Sequence, residues 1–123
     1  MLRNAAHYSA RLWAGGKEVR GLKREDWREA VFGYACLLDM VVRGPEDRSL
    51  RKSGDSYAVL GPWLVTADEV ADPQALDFFL TVNGEPRQAS NTGRMIMSIA
   101  EQIAYASRFY TLYPGDIIMT GTC

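Results

Sequence analysis

The stretch Gly33–Thr66 reads GYACLLDMVVRGPEDRSLRKSGDSYAVLGPWLVT, and its reading decides the fold. It opens as a nearly unbroken apolar run, the pattern of a strand buried on both faces. One carboxylate, Asp39, interrupts the run, and Arg43 and then Lys52 follow it. An unpaired charge buried in a strand costs several kcal/mol or more. Asp39 is therefore expected to be protonated, paired with a cation, or bound to a metal ion. Residues i and i+4 of a strand share a face, so Asp39 and Arg43 point the same way. Their backbones stand about 13 Å apart at roughly 3.3 Å per residue. A direct pair needs a bend or a long reach by Arg43. The functional alternative is an anion held between a metal at Asp39 and the guanidinium of Arg43.

Outward from this stretch, Gly44–Tyr57 is polar and reads as a loop, the kind of segment that carries binding groups on a rigid scaffold. Gly61-Pro62 reads as a turn, and Trp63–Thr66 as a short strand. Upstream, Arg24–Phe32 reads as a short helix. Trp27, Ala30 and Val31 form its apolar stripe, and Glu25 and Asp26 lie in the first turn, where the helix dipole favours them. Tyr8–Ala14 reads as a strand turned by Gly15-Gly16. His7, the single histidine, has no local carboxylate to orient its ring and reads as a solvated terminal residue.

Downstream, Leu76, Phe78, Leu80 and Val82 alternate with Asp77, Phe79, Thr81 and Asn83, which predicts a half-buried strand. Asn83-Gly84 is a strong hairpin signal of the type I′ kind, and Pro86 marks the return strand as an edge. Ser98 and Glu101 form a capping box that opens a helix to about Arg108, with Ile96, Ile99, Ala100 and Ile103 as its core stripe. Pro114-Gly115-Asp116 is a turn, and Ile117–Met119 a buried strand leading into Thr120-Gly121-Thr122. These elements give a β-rich α+β domain with two short helices, about 24–32 and 98–108.

The chain has 123 residues, 47% of them hydrophobic, enough for one domain with its own core. Fourteen basic and 15 acidic residues nearly cancel, which gives no electrostatic case for nucleic acid or an anionic membrane. No apolar run approaches membrane-span length. Cys36 and Cys123 show no metal spacing. Cys36, inside the apolar run, reads as a buried reduced thiol, so the cytoplasm is the expected compartment.

The order Gly33-Tyr34, Asp39, Arg43, Lys52-Ser53 and Leu60-Gly61-Pro62-Trp63-Leu64-Val65-Thr66 resembles the fumarylacetoacetate hydrolase family. Val82-Asn83-Gly84, Asn91-Thr92, Met95-Ile96, Ser98–Phe109, Pro114-Gly115-Asp116 and Thr120-Gly121-Thr122 follow in family order. The resemblance covers roughly residues 30–122 and leans toward the branch of hydroxyhepta-diene-dioate isomerases and related decarboxylases. It implies a mixed β-roll and one catalytic-core domain over 1–123, incomplete against the family pattern and poorly matched over 1–17. It also implies 2-oxo or 1,3-dicarbonyl dicarboxylic acids as substrates and a Mg²⁺ or Mn²⁺ ion that stabilises an enolate. C–C hydrolysis, decarboxylation or isomerisation are the reactions, and a homodimer is the expected assembly.

Carried over by position, Asp39 matches the metal-binding Asp of the family. Arg43 and Lys52 match its cations near metal and substrate, with Lys52 also catalytic, and Thr122 matches a substrate-contacting Thr. Tyr34 and Trp63 belong to the motif and read as packing. The sequence departs from the family where a Glu-x-Glu pair of metal ligands is expected. Ser9 and Arg11, or Tyr8 and Ala10, stand there, and no acid precedes Glu18. Gly44 and Gly54 replace a usual Asp and aromatic, Glu46 stands near a usual Gln, and Cys123 stands where the family has Pro. A catalytically inactive member or a fragment, serving as a binding or partner subunit, is the alternative these departures raise.

Overall fold

A computed structural model of the chain describes residues 11–14 and 17–121. Four strands form an antiparallel sheet: β1 (Arg11–Ala14), β2 (Val31–Asp39), β3 (Ala58–Thr66) and, last in the chain, β6 (Ile117–Met119). Their spatial order is β3-β2-β1-β6. β4 (Asp77–Val82) and β5 (Glu85–Asn91) form a separate hairpin. Two α-helices complete the set, α1 (Arg48–Lys52) and α2 (Ile99–Phe109).

β2 is the pivot of the larger sheet because it pairs with β1 on one side and β3 on the other. Burial along it is uneven, however. Val31 and Tyr34 pack with Ile99 and Ile103 of α2 and with Val19, Ala30 and Leu112 in a single core cluster. Phe32 and Cys36 are exposed. The expectation of a buried run therefore holds at Val31, Tyr34 and Leu37 and is corrected at Phe32 and at Cys36, the thiol expected to be buried.

The pairing of β2 with β3 explains two glycines. A Cβ on Gly33 would stand 2.4 Å from the carbonyl oxygen of Val65, so the two backbones approach as closely as they do only because that atom is missing. Further along, Ala35 faces Leu64 while Leu37 faces Leu60. Gly61-Pro62-Trp63 therefore bulges out opposite Cys36 and re-aims the strand. Gly61, at a φ of 126°, supplies the backbone freedom that the bulge needs. The expected turn at Gly61-Pro62 is thus an irregularity inside one continuous β3, and Trp63 stands 73% exposed rather than packed.

α2 begins where the capping box places it. The Ser98 hydroxyl accepts from the Glu101 amide, and Glu101 accepts from the Ser98 amide at 2.7 Å. Gln74, from the connector before β4, adds a further cap by accepting from the Ile99 amide at 2.6 Å. Ile99, Ile103 and Ser107 recur every four residues and are buried, each isoleucine contributing about 1.5–3 kcal/mol. The buried Ser107 is satisfied by the Leu22 amide and the Ala104 carbonyl. Ile96, assigned to the same stripe, precedes the helix and is fully exposed.

Residues Arg24–Ala30 form a 3-10 helix, and Val31 already belongs to β2. Trp27 packs against the core and Ala30 lies in it. The β4–β5 hairpin turns at Asn83 and Gly84, with φ of 53° and 81°, the positive values that a type I′ turn requires. β6 is an edge strand with Ile117 and Met119 exposed, not a buried one. No helix among the described residues is long and apolar enough to cross a membrane.

Candidate functional site

The segment after β2 is folded back by two backbone hydrogen bonds. The Met40 amide donates to the Tyr57 carbonyl at 2.7 Å, and the Val42 amide to the Arg51 carbonyl at 3.1 Å. The second bond lays the chain at Val42-Arg43 beside the end of α1. That helix lies inside the stretch expected to be a loop. Asp47 caps it by accepting from the Ser49 amide at 2.8 Å, and this hydrogen bond holds the Asp47 carboxyl below its ordinary value. At the other end Ser53 donates its hydroxyl proton to the Ser49 carbonyl.

α1 carries three cations in five residues. It exposes Leu50, buries no residue, and presents Arg51 and Lys52 from its last turn. The Lys52 ammonium is paired with the carboxylate of Asp39 at the end of β2. The Asp39 side chain is 24% exposed and that of Lys52 39%, so the pair is only partly shielded from solvent. Of the outcomes open to Asp39, pairing with a cation is the one observed, and the cation is Lys52, not Arg43. Arg43 is exposed and has no carboxylate partner among the described residues.

β6 runs parallel in direction to β2, since both are antiparallel to β1. The carboxyl ends of β2 and β6 therefore lie at the same end of the sheet, Asp39 on one and Thr120-Gly121 beyond the other. Thr122 and His7 lie outside the described residues. β1 enters from this end as well, with Arg11 level with Ala35 and Met119.

Three of the four residues singled out from the sequence, Asp39, Arg43 and Lys52, thus belong to one locality. Sequence reasoning passed over Arg51. The Asp47 cap ahead of Arg48–Lys52 was the signal available for the helix that positions it. A separate concavity of about 210 Å³ is lined by Tyr34, Cys36, Trp63, Val65, Phe78 and Thr92. It is mostly apolar, with Asp77 at its wall, and Asp39, Arg43 and Lys52 do not line it.

The donor set argues against a complete divalent centre. A hard cation takes about six oxygen ligands, typically including carboxylates. Asp39 is a single carboxylate already engaged with an ammonium group. Among the described residues no three of His, Cys, Asp and Glu come together, and the sequence has no acid before Glu18. These residues do not fit a Mg²⁺ or Mn²⁺ ion by themselves.

The family profile described as fumarylacetoacetate (FAA) hydrolase C-terminal matches residues 13–123. The chain belongs to this family. Among curated members, maleylpyruvate hydrolase of Aquipseudomonas alcaligenes is 54% identical over 107 residues, covering 87% of this chain and 37% of the relative. The 2,4-didehydro-3-deoxy-L-rhamnonate hydrolase of Sphingomonas sp. (strain SKA58) is 41% identical over 112 residues, covering 87% and 39%. A solved maleylpyruvate hydrolase from Sphingobium sp. SYK-6, in complex with manganese(II) and pyruvate, superposes with a TM-score of 0.87 at 49% identity, covering 97% of this chain and 44% of that one. A 5-carboxymethyl-2-hydroxymuconate delta-isomerase from Mycobacterium smegmatis superposes at 0.85 with 28% identity, covering 96% and 47%.

The α+β fold is therefore that of the fumarylacetoacetate hydrolase family, and family members include hydrolases and isomerases of small organic acids. A divalent metal accompanies at least one of them. The chain spans less than half the length of these relatives.

Proposed function

We propose that this chain carries the organic-acid-binding core of a fumarylacetoacetate-hydrolase-family enzyme acting on 2-oxo or 1,3-dicarbonyl dicarboxylic acids. The observation that carries the reading is the Lys52 ammonium, anchored on Asp39 and part-exposed to solvent, with Arg43 exposed on the segment that the Val42–Arg51 backbone bond holds against α1. In C–C hydrolysis of such an acid, water adds to the carbonyl beyond C3 and the C3–C4 bond breaks. The electron pair stays on the C3 fragment as an enolate, whose charge sits on the C2 oxygen until C3 takes a proton. An ammonium group held against that oxygen stabilises the charge as it develops. Lys52 has this role, Asp39 orients it, and Arg43 takes the neighbouring carboxylate. Thr122 is assigned substrate contact by its place in the family motif. The Mg²⁺ or Mn²⁺ ion that the family pattern implies finds one carboxylate here, so no step is assigned to it.

The missing acidic pair favours a second reading, in which the chain binds such acids without turning them over and serves a partner subunit. Calorimetric titration with pyruvate and with oxalate, each with and without Mn²⁺, tests both. Binding that weakens about tenfold or more in Lys52→Met, the size of a lost hydrogen bond between charged groups, supports the common site. Tightening by Mn²⁺ together with cleavage of an acylpyruvate favours the enzyme, and binding without either favours the partner subunit. Equal binding by the wild type, Lys52→Met and Arg43→Gln removes the site.

A further inference from the structure

We infer that Arg51 is a specificity residue of this site, holding the far carboxylate of a dicarboxylic ligand while Lys52 and Arg43 hold the 2-oxo acid end. This role rests on the binding role of Lys52 proposed above.

Arg48, Arg51 and Lys52 lie at i, i+3 and i+4 on α1, so the three cations share a helix face. Like charges at this spacing destabilise a helix. Lys52 is compensated by Asp39. Arg48 and Arg51 have no carboxylate partner among the described residues. A basic residue in a last helical turn is favoured by the helix dipole, which accounts for charge at this position. It does not account for the second feature of Arg51: its Nε is buried and has no acceptor among the described residues. A buried donor without a partner carries an unrecovered desolvation cost.

Nε is also one of the two donors that a guanidinium offers side-on to a carboxylate in a two-pronged contact. The backbone bond from Val42 to Arg51 brings the chain at Arg43 beside the end of α1, where Arg51 precedes Lys52. A ligand with one carboxylate leaves Arg51 unmatched, whereas a ligand with two supplies the missing acceptor.

The test is calorimetric titration with 2-oxoglutarate and 2-oxopentanoate, which share a five-carbon 2-oxo acid chain and differ in the second carboxylate. The wild type is expected to prefer 2-oxoglutarate by about tenfold or more. Arg51→Gln is expected to erase most of that preference. Arg51→Lys is expected to retain only part of it, because an ammonium group cannot make the two-pronged contact. A wild type that binds both acids equally overturns the role of Arg51 and leaves the Lys52 reading standing. Retention of the full preference by either variant overturns that role in the same way. A wild type that binds neither acid overturns both. The wild-type comparison decides the matter even if a variant fails to fold.

Discussion

Replacing Lys52 by Met and Asp39 by Asn, singly and together, isolates the interaction on which the site is built. The two side chains are 39% and 24% exposed, between the regimes whose energies are known. Two unit charges near contact attract by about 4 kcal/mol at an effective dielectric of about 20, before desolvation is subtracted. Exposed pairs retain about 0.2–1 kcal/mol of this, while breaking a fully buried pair costs about 3–5 kcal/mol. A coupling energy of about 1–2 kcal/mol is expected here. Urea unfolding followed by circular dichroism reads it. With a slope of about 1–3 kcal/mol/M for a domain of this class, a coupling of that size corresponds to roughly 0.3–2 M of urea. Lys52→Met should cost more than the double variant relative to Asp39→Asn, because it leaves the Asp39 charge without its partner. Coupling within about 0.5 kcal/mol of zero, the usual error of additivity, would refute the pair and the anchoring of Lys52 with it.

Three further outcomes are expected. Gly33→Ala forces the Val65 carbonyl away from β2 and should destabilise the domain by about 1–3 kcal/mol, read as a thermal midpoint several degrees lower; an unchanged midpoint would show that β2 and β3 yield freely. Glu101 is held below its ordinary carboxyl value, first by the Ser98 hydroxyl and then by the Ser98 amide. A depressed native value means that its stabilisation is full above the ordinary glutamate range and is lost as pH falls through the depressed one. Thermal midpoints measured from neutral to acid pH should therefore fall less steeply in Ser98→Ala, and an identical acid slope would remove the assignment. Gln74→Ala frees the Ile99 amide and should cost about 0.5–2 kcal/mol, the range of a lost helix cap, measured by urea midpoint.

Much of the architecture was legible because its signals are local. Alternation from Leu76 to Val82 and the Asn83-Gly84 turn predict the hairpin, since both depend on backbone geometry within a few residues. The capping box at Ser98 predicts the start of α2 for the same reason. The misreadings share a different cause. Whether Cys36, Trp63, Ile117 and Met119 are buried depends on what packs over a sheet face or edge, and apolar character alone carries no information about the opposing layer. α1 leaves little trace in the sequence because a five-residue helix is too short for a stripe, and its one local signal is the cap at Asp47. Gln74 lies 25 residues from the amide it caps, beyond the reach of any periodicity.

The order of residues by itself determined the class of fold, the family, and the candidates Asp39, Arg43 and Lys52. Those follow from chemistry written along the chain: a carboxylate in an apolar strand needs compensation, and the cations stand nearby in sequence. Tertiary structure decided which cation compensates it. Two backbone bonds, Met40 to Tyr57 and Val42 to Arg51, swing α1 over the end of β2 and bring Lys52 to Asp39 while leaving Arg43 without a carboxylate among the described residues. The choice between a lysine and an arginine partner is a matter of where a helix docks. It depends on distances between segments that only folding brings together.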